Sequence, residues 1–209
     1  MNGVDPCLDH LVYGVPDLEA GVRALATLLG VDPVPGGRHP DHGTRNYLVG
    51  LGGRSYLEII GPDPEATTPP TSFGLATLTA PRLVTWAVRA DDIEARVAAA
   101  RAAGHDPGDV LPMSRRTADG TLLEWRLAKA EPRPRDGLVP FLIDWGGTRH
   151  PTEAGLPELR LRSLRAEHPD PAAVRADLRA VGAELDVAAA AAPALRARVE
   201  GPNGVVELP

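Results

Sequence analysis

Residues 9–30 read "DHLVYGVPDLEAGVRALATLLG", and the pattern returns at 84–104 as "VTWAVRADDIEARVAAARAAG" and at 162–182 as "RSLRAEHPDPAAVRADLRAVG". The three copies align when Asp17, Asp92 and Asp170 are laid over one another. Each then reads as a strand, an aspartate capping a helix N-terminus, and a helix closed by glycine. Leu18, Val22, Leu25 and Leu29 recur at helical spacing, as do Ile93, Val97 and Ala100, and then Val174, Leu178 and Val181. Such a repeat constrains architecture before any single motif does.

After each helix come short strand candidates separated by glycine or proline turns. The first copy offers "GTRNYLVGL" and "RSYLEIIG", the second "GDVLPMSRR", "GTLLEWRLA" and "LVPFLIDWG", the third "ELDVA", "ALRARVE" and "GVVELP". The alanine run from Ala188 to Ala192 reads as a loop or short helix. The chain therefore divides into βαβββ modules at 4–62 and 82–147 and a shorter βαβββ-like module at 158–209, with a Pro/Thr-rich linker at 63–81. The fold class is α+β. Helices cover one face of such a sheet and leave the other to curl, so modules one and two form a cup.

Within that frame, Leu8, His10 and Val12 share one face of the first strand, while Asp9, Leu11 and Tyr13 share the other. On the fourth strand, Leu57 and Ile59 suit the helix-facing core, which leaves Tyr56, Glu58 and Ile60 toward the cup. An imidazole and a carboxylate inside one cup need mutual pairing, water or a cation to offset desolvation. A divalent metal such as Zn²⁺, Mn²⁺, Ni²⁺ or Fe²⁺ suits that pair; a buried His–Glu hydrogen bond is the alternative.

With "LDHLVYGVPDLEA", "GGRHPDHGTRN", "SYLEIIGPDP", "MSRRTADGTLLEWRL" and "PFLIDWG", the chain resembles the glyoxalase-like domain proteins of the vicinal oxygen chelate superfamily over nearly its whole length. The resemblance implies a cup between paired modules, with metal ligands from first and fourth strands, and an ion that chelates neighbouring substrate oxygens and stabilises an oxyanion. His10 and Glu58 match those ligand positions, and His39 is the expected third ligand or a proton carrier, making Glu58 and His39 the candidate catalytic residues. The implied activity is a metal-dependent lyase, isomerase or dioxygenase acting on a small oxygenated metabolite; the competing reading is a binding or sequestering protein of the bleomycin-resistance type.

The repeat also shows departures. Thr85 and Ser163 fall opposite His10, while Ile143 and Glu207 fall opposite Glu58, so modules two and three do not repeat the ligand pair. Thr44, Asn46, Ser114, Arg115, Trp125, Phe141 and Trp145 are candidate substrate-binding residues: the first two share a strand face, the arginine offers a fork of donors, and the aromatics would form an apolar wall. His42 reads as solvated, His105 and His168 as helix-end residues, and His150 as ambiguous.

Bulk properties set the outer limits. The formal charge of −6 on 209 residues argues against a phosphate-backbone partner. The single cysteine, Cys7, excludes a disulfide framework. No apolar run is long enough to span a bilayer, and "MNGVDPCLDH" lacks a secretion signal's pattern, so a cytoplasmic location is expected, with no nucleic acid or membrane partner and a homodimer as an option. Near-exclusive use of arginine over lysine, with abundant alanine, glycine and proline, suggests a GC-rich bacterial source.

Overall fold

The computed structural model describes residues 5–116 and 120–209. Val4, the expected start of module one, and residues 117–119 inside the "MSRRTADGTLLEWRL" motif lie outside the described residues. Module one contains β1 (Leu8–Gly14), α1 (Leu18–Leu29), β2 (Val34–His39), β3 (Thr44–Gly52) and β4 (Ser55–Pro62). Module two repeats this with β5 (Arg82–Arg89), α2 (Ile93–Ala102), β6 (Val110–Arg116), β7 (Leu122–Ala128) and β8 (Phe141–Asp144). The remainder forms β9 (Arg160–His168), α3 (Pro171–Ala180), β10 (Asp186–Ala189), β11 (Ala194–Gly201) and β12 (Gly204–Leu208).

The helices begin where the aspartates direct them. The side chains of Asp17, Asp92 and Asp170 accept hydrogen bonds from the backbone N–H of Ala20, Ala95 and Ala173, each at 3.0 Å. Gly30 ends α1 in the left-handed conformation, φ 77°, where its N–H reaches the Ala26 carbonyl at 2.8 Å. Leu18, Val22, Leu25 and Leu29 are the buried stripe of α1, and Ile93, Val97 and Ala100 that of α2.

Modules one and two join into one eight-stranded sheet, in the order β2-β3-β4-β1-β5-β8-β7-β6. In each module the first strand runs parallel to the fourth. Between modules, β1 runs antiparallel to β5, with His10 paired to Ala87 and Val12 to Thr85. A twofold that exchanges His10 with Thr85 and Val12 with Ala87 converts one pair into the other, which is the symmetry of the repeat. The central strand β1 is buried along its whole length because strands flank both its edges and side chains cover both its faces. Leu11, Tyr13, Leu57 and Ile59 join the helices in the larger core, while Val12, Ile60, Ala87, Phe141, Ile143 and Trp145 form a second apolar cluster on the concave face.

Three expectations are corrected. The register pairs Val12 with Glu58 and Ala87 with Phe141, so Phe141 is the module-two equivalent of Glu58, and Ile143 is that of Ile60. The segment from Gly36 to Gly43, which its glycines, proline and aspartate mark as a loop in the sequence, begins as the edge strand β2, followed by a 3₁₀ turn at Pro40–His42. Proline and glycine are poor strand formers, but an edge strand tolerates them, here with a bulge between Pro35 and Gly37. Finally, the third unit has the expected order of elements with a different pairing: its four strands run β10-β9-β11-β12, and β9 lies parallel to β10 instead of to its last strand. Ala188 and Ala189 lie in β10.

The third unit packs on the convex side. Leu164, Val174, Leu178, Val187 and Leu195 share one core with the buried faces of α1 and α2. Arg96 of α2 donates to the carbonyls of Val181 and Gly182 at 2.8 Å each, and the Leu159 N–H donates to the Gly50 carbonyl at 2.8 Å. No helix among the described residues is long and apolar enough to cross a membrane.

Leu11, wholly buried on the helix side of β1, is expected to cost about 2–5 kcal/mol when changed to alanine. Ser114→Ala, on the exposed face of β6, should stay within about 0.5 kcal/mol. Urea midpoints of the two variants check both values.

Candidate functional site

The concave face encloses a cavity of about 150 Å³. Module one gives it His10, His39, His42, Thr44, Asn46, Tyr56, Glu58 and Ile60. Across from these stand Leu111, Met113, Arg115, Trp125, Leu127, Phe141, Ile143 and Trp145, with Ser72, Phe73 and Lys129 from the connections. One wall is polar and titratable, and the other is largely apolar.

His10 is held from behind. Asp9, with no exposed surface, accepts from His10 Nδ1 at 2.7 Å on one oxygen, and from Trp145 Nε1 at 3.1 Å and His150 Nε2 at 3.2 Å on the other. A bulge in the β1–β5 register between Leu8 and His10 frees Asp9 from the strict alternation that would aim it at the helices. Burial by itself would raise the Asp9 pKa; the hydrogen bonds and charges of His10 and His150 outweigh it and hold the carboxyl well below the usual range. Asp9 is therefore an acceptor only, which assigns the Nδ1 proton of His10 and the Nε2 proton of His150. The Thr152 N–H, donating to His150 Nδ1 at 3.3 Å, agrees with that tautomer.

With Nδ1 committed, His10 presents Nε2 to the cup, 3.8 Å from Glu58 Oε2. The other Glu58 oxygen accepts from Asn46 Nδ2. Tyr56 stacks on the His10 ring at 4.7 Å, and Phe141 meets its edge at 5.4 Å. Burial, reinforced by the charges of Asp9 and Glu58, pushes the Tyr56 phenol well above its usual value, so it keeps its proton. His39 Nδ1 lies 3.2 Å from Thr44 Oγ1. Burial lowers its pKa against the pull of Glu58, which leaves the ring neutral near neutral pH.

Arg115 closes the cup. From β6 it donates to the Gly36 carbonyl of β2, bridging the two ends of the eight-stranded sheet. A Cβ on Gly37 would stand 2.6 Å from Arg115 Nη1, so the glycine makes room for the guanidinium.

Of the candidate residues, His10, His39, Thr44, Asn46, Glu58, Arg115, Trp125, Phe141 and Trp145 line this one cavity. Ser114 does not: successive strand residues point to opposite faces, and Ser114 is exposed on the outside while Arg115 is buried. His42, read as solvated, lines the cavity with Nδ1 3.3 Å from Thr71 Oγ1. Glu207 lies in the other sheet, paired with Arg165 at 3.2 Å. Sequence reasoning turns Tyr56 toward the cup without giving it a role, and places Asp9 on the opposite face of β1. A carboxylate directly beside a histidine in a strand with no exposed position is the signal that points to Asp9.

The implied metal can be tested against these donors. His10 has the backing of a metal ligand, one ring nitrogen tied to a carboxylate and the other presented beside Glu58. A catalytic site of the zinc type takes about three protein ligands. Among the described residues, no group of three or more His, Cys, Asp or Glu side chains is placed to hold an ion, and His39 does not complete one. The described residues therefore do not make a full metal site.

A family model described as a glyoxalase-like domain matches residues 8–182. Among solved structures, a hypothetical protein from Staphylococcus aureus is similar over 96% of this chain and 83% of its own, with 14% identity and a TM-score of 0.61. Methylmalonyl-CoA epimerase from Mycobacterium tuberculosis matches over 74% of this chain and 95% of its own, with 19% identity and a TM-score of 0.42. A search of curated proteins finds no match. On the family match, which spans both modules of the cup, the chain belongs to the glyoxalase-like domain family of the vicinal oxygen chelate superfamily.

Proposed function

We propose that the cup is an enzyme active site in which Glu58 takes and returns a proton at a carbon beside an oxygen function of a small metabolite. The observation that carries this reading is the row Asp9, His10, Glu58, fixed at its buried end and open to a cavity at the other. Asp9 sets the tautomer of His10, so that Nε2 can share a proton with Glu58. Asn46 keeps the carboxylate oriented by holding its second oxygen. Charge that develops on the substrate oxygen meets donors on the cavity wall: the Thr44 hydroxyl, His39 and the Arg115 guanidinium. Zinc, manganese, nickel or iron held by His10 and Glu58 would lack a third protein ligand among the described residues.

The incomplete metal set and the apolar module-two wall favour a second reading, a protein that binds a small molecule without changing it. Proton exchange separates the two. Incubation with 2-oxo and 2-hydroxy acids in D₂O, followed by NMR, should show wild type exchanging the hydrogen on the carbon beside the oxygen function of one class. Glu58→Gln should slow that exchange about 100-fold or more, the scale of general-base catalysis, while still binding the compound. A ligand that binds wild type with no exchange supports the second reading.

The depressed Asp9 pKa gives a pH signature. A carboxyl whose folded value lies below its ordinary 3.8 contributes stability above that value and loses it as pH falls toward the folded one. Asp9→Asn is expected to destabilise by about 3 kcal/mol near neutral pH, as for a buried charge cluster broken at one partner. The gap from wild type should stay level down to about pH 5 and narrow in stronger acid. Denaturant titrations across that range read it directly.

A further inference from the structure

Arg115 is buried, with 7% of its surface exposed, and its hydrogen bond goes to a backbone carbonyl. Among the described residues no carboxylate forms an ion pair with it. Arg38, Arg45, Arg101 and Arg126, all less buried, each hold one or more acidic side chains. Burial lowers the Arg115 pKa, opposed only by the fields of Tyr56 and Glu58. A guanidinium kept in an apolar wall without a counter-ion is costly unless an anion arrives to pair with it. Lys129, the chain's only lysine, also lines the cavity, but Glu131 already holds it at 3.2 Å. Of the arginine and lysine side chains that line the cavity, Arg115 is, among the described residues, the one without an acidic partner.

We propose, resting on the reading of the cup as a small-molecule site, that the counter-ion of Arg115 is the carboxylate of the ligand, and that the ligand is a small monocarboxylate with an aromatic or branched apolar body. The fork of a guanidinium matches a planar carboxylate. The body packs against Trp125, Phe141 and Trp145. A void of about 150 Å³ accepts a body the size of a benzene ring, and the cavity has that volume. The carbon next to the carboxylate is then the one offered to Glu58.

Phenylacetate and phenylacetamide, alike in shape and different in charge, are the probes, with quenching of Trp125 and Trp145 fluorescence as the readout. Wild type should bind the acid about tenfold or more tightly than the amide, the scale of one charged hydrogen-bonded contact. Arg115→Met should bring the acid down to about the level of the amide, weakening the acid far more than the amide. Arg115→Lys, which keeps the charge, should retain part of the preference, and it carries the test if the methionine variant melts early. Glu58→Gln should keep the preference although it loses proton exchange. Equal binding of acid and amide by wild type overturns the proposal and leaves the pocket reading standing. So does Arg115→Met weakening both probes alike, since Arg115 is then only the closure of the cup. If neither probe binds, the proposed ligand class is wrong, and the exchange experiment alone decides the pocket reading.

Discussion

The buried carboxylate of Asp9 is the interaction on which the rest of the site depends. Its three donors come from β1, from the end of β8 and from the connection that leads to the third unit, so one charge ties the repeat's two halves to the segment that follows them. Such a group is tolerable in a wholly buried position because both of its oxygens accept hydrogen bonds. The arrangement also settles which nitrogen of His10 faces the cavity. Without it, the imidazole would be free to turn toward Glu58 in either tautomer.

Duplication of the module supplies two matching half-cups, and the chemistry lies in how they differ. His10 and Glu58 in module one face positions filled by Thr85 and Phe141 in module two. The same backbone thus provides a wall that titrates and a wall that excludes water. The third unit stands outside this division: its strands back the helices, and its Glu207 is engaged with Arg165 and Arg196.

Much of this was legible in the sequence, because caps and periodicity are local. Asp17, Asp92 and Asp170 mark three helices, and the strand face of Thr44 and Asn46 follows from alternation. What failed to read depends on distant partners. The strand β2 looks like a loop until β3 pairs with it. The module-two register slips by two residues because the connection between β7 and β8 hides how the strands meet. Asp9 lies at a bulge that alternation cannot foresee, and Ser114 and Arg115 exchange inside for outside with a shift of one position. The third unit's pairing is invisible for a deeper reason: the order of strand, helix and three strands permits more than one sheet.

The opposition of the two walls has a stereochemical consequence. On the proposed reading, a flat molecule in the cup would meet the indoles of Trp125 and Trp145 with one face and Glu58 with the other. A proton moved by Glu58 would then be confined to a single face of that molecule. The handedness of a product would then be written into the sheet by the divergence of its two halves, long before any loop or lid contributes.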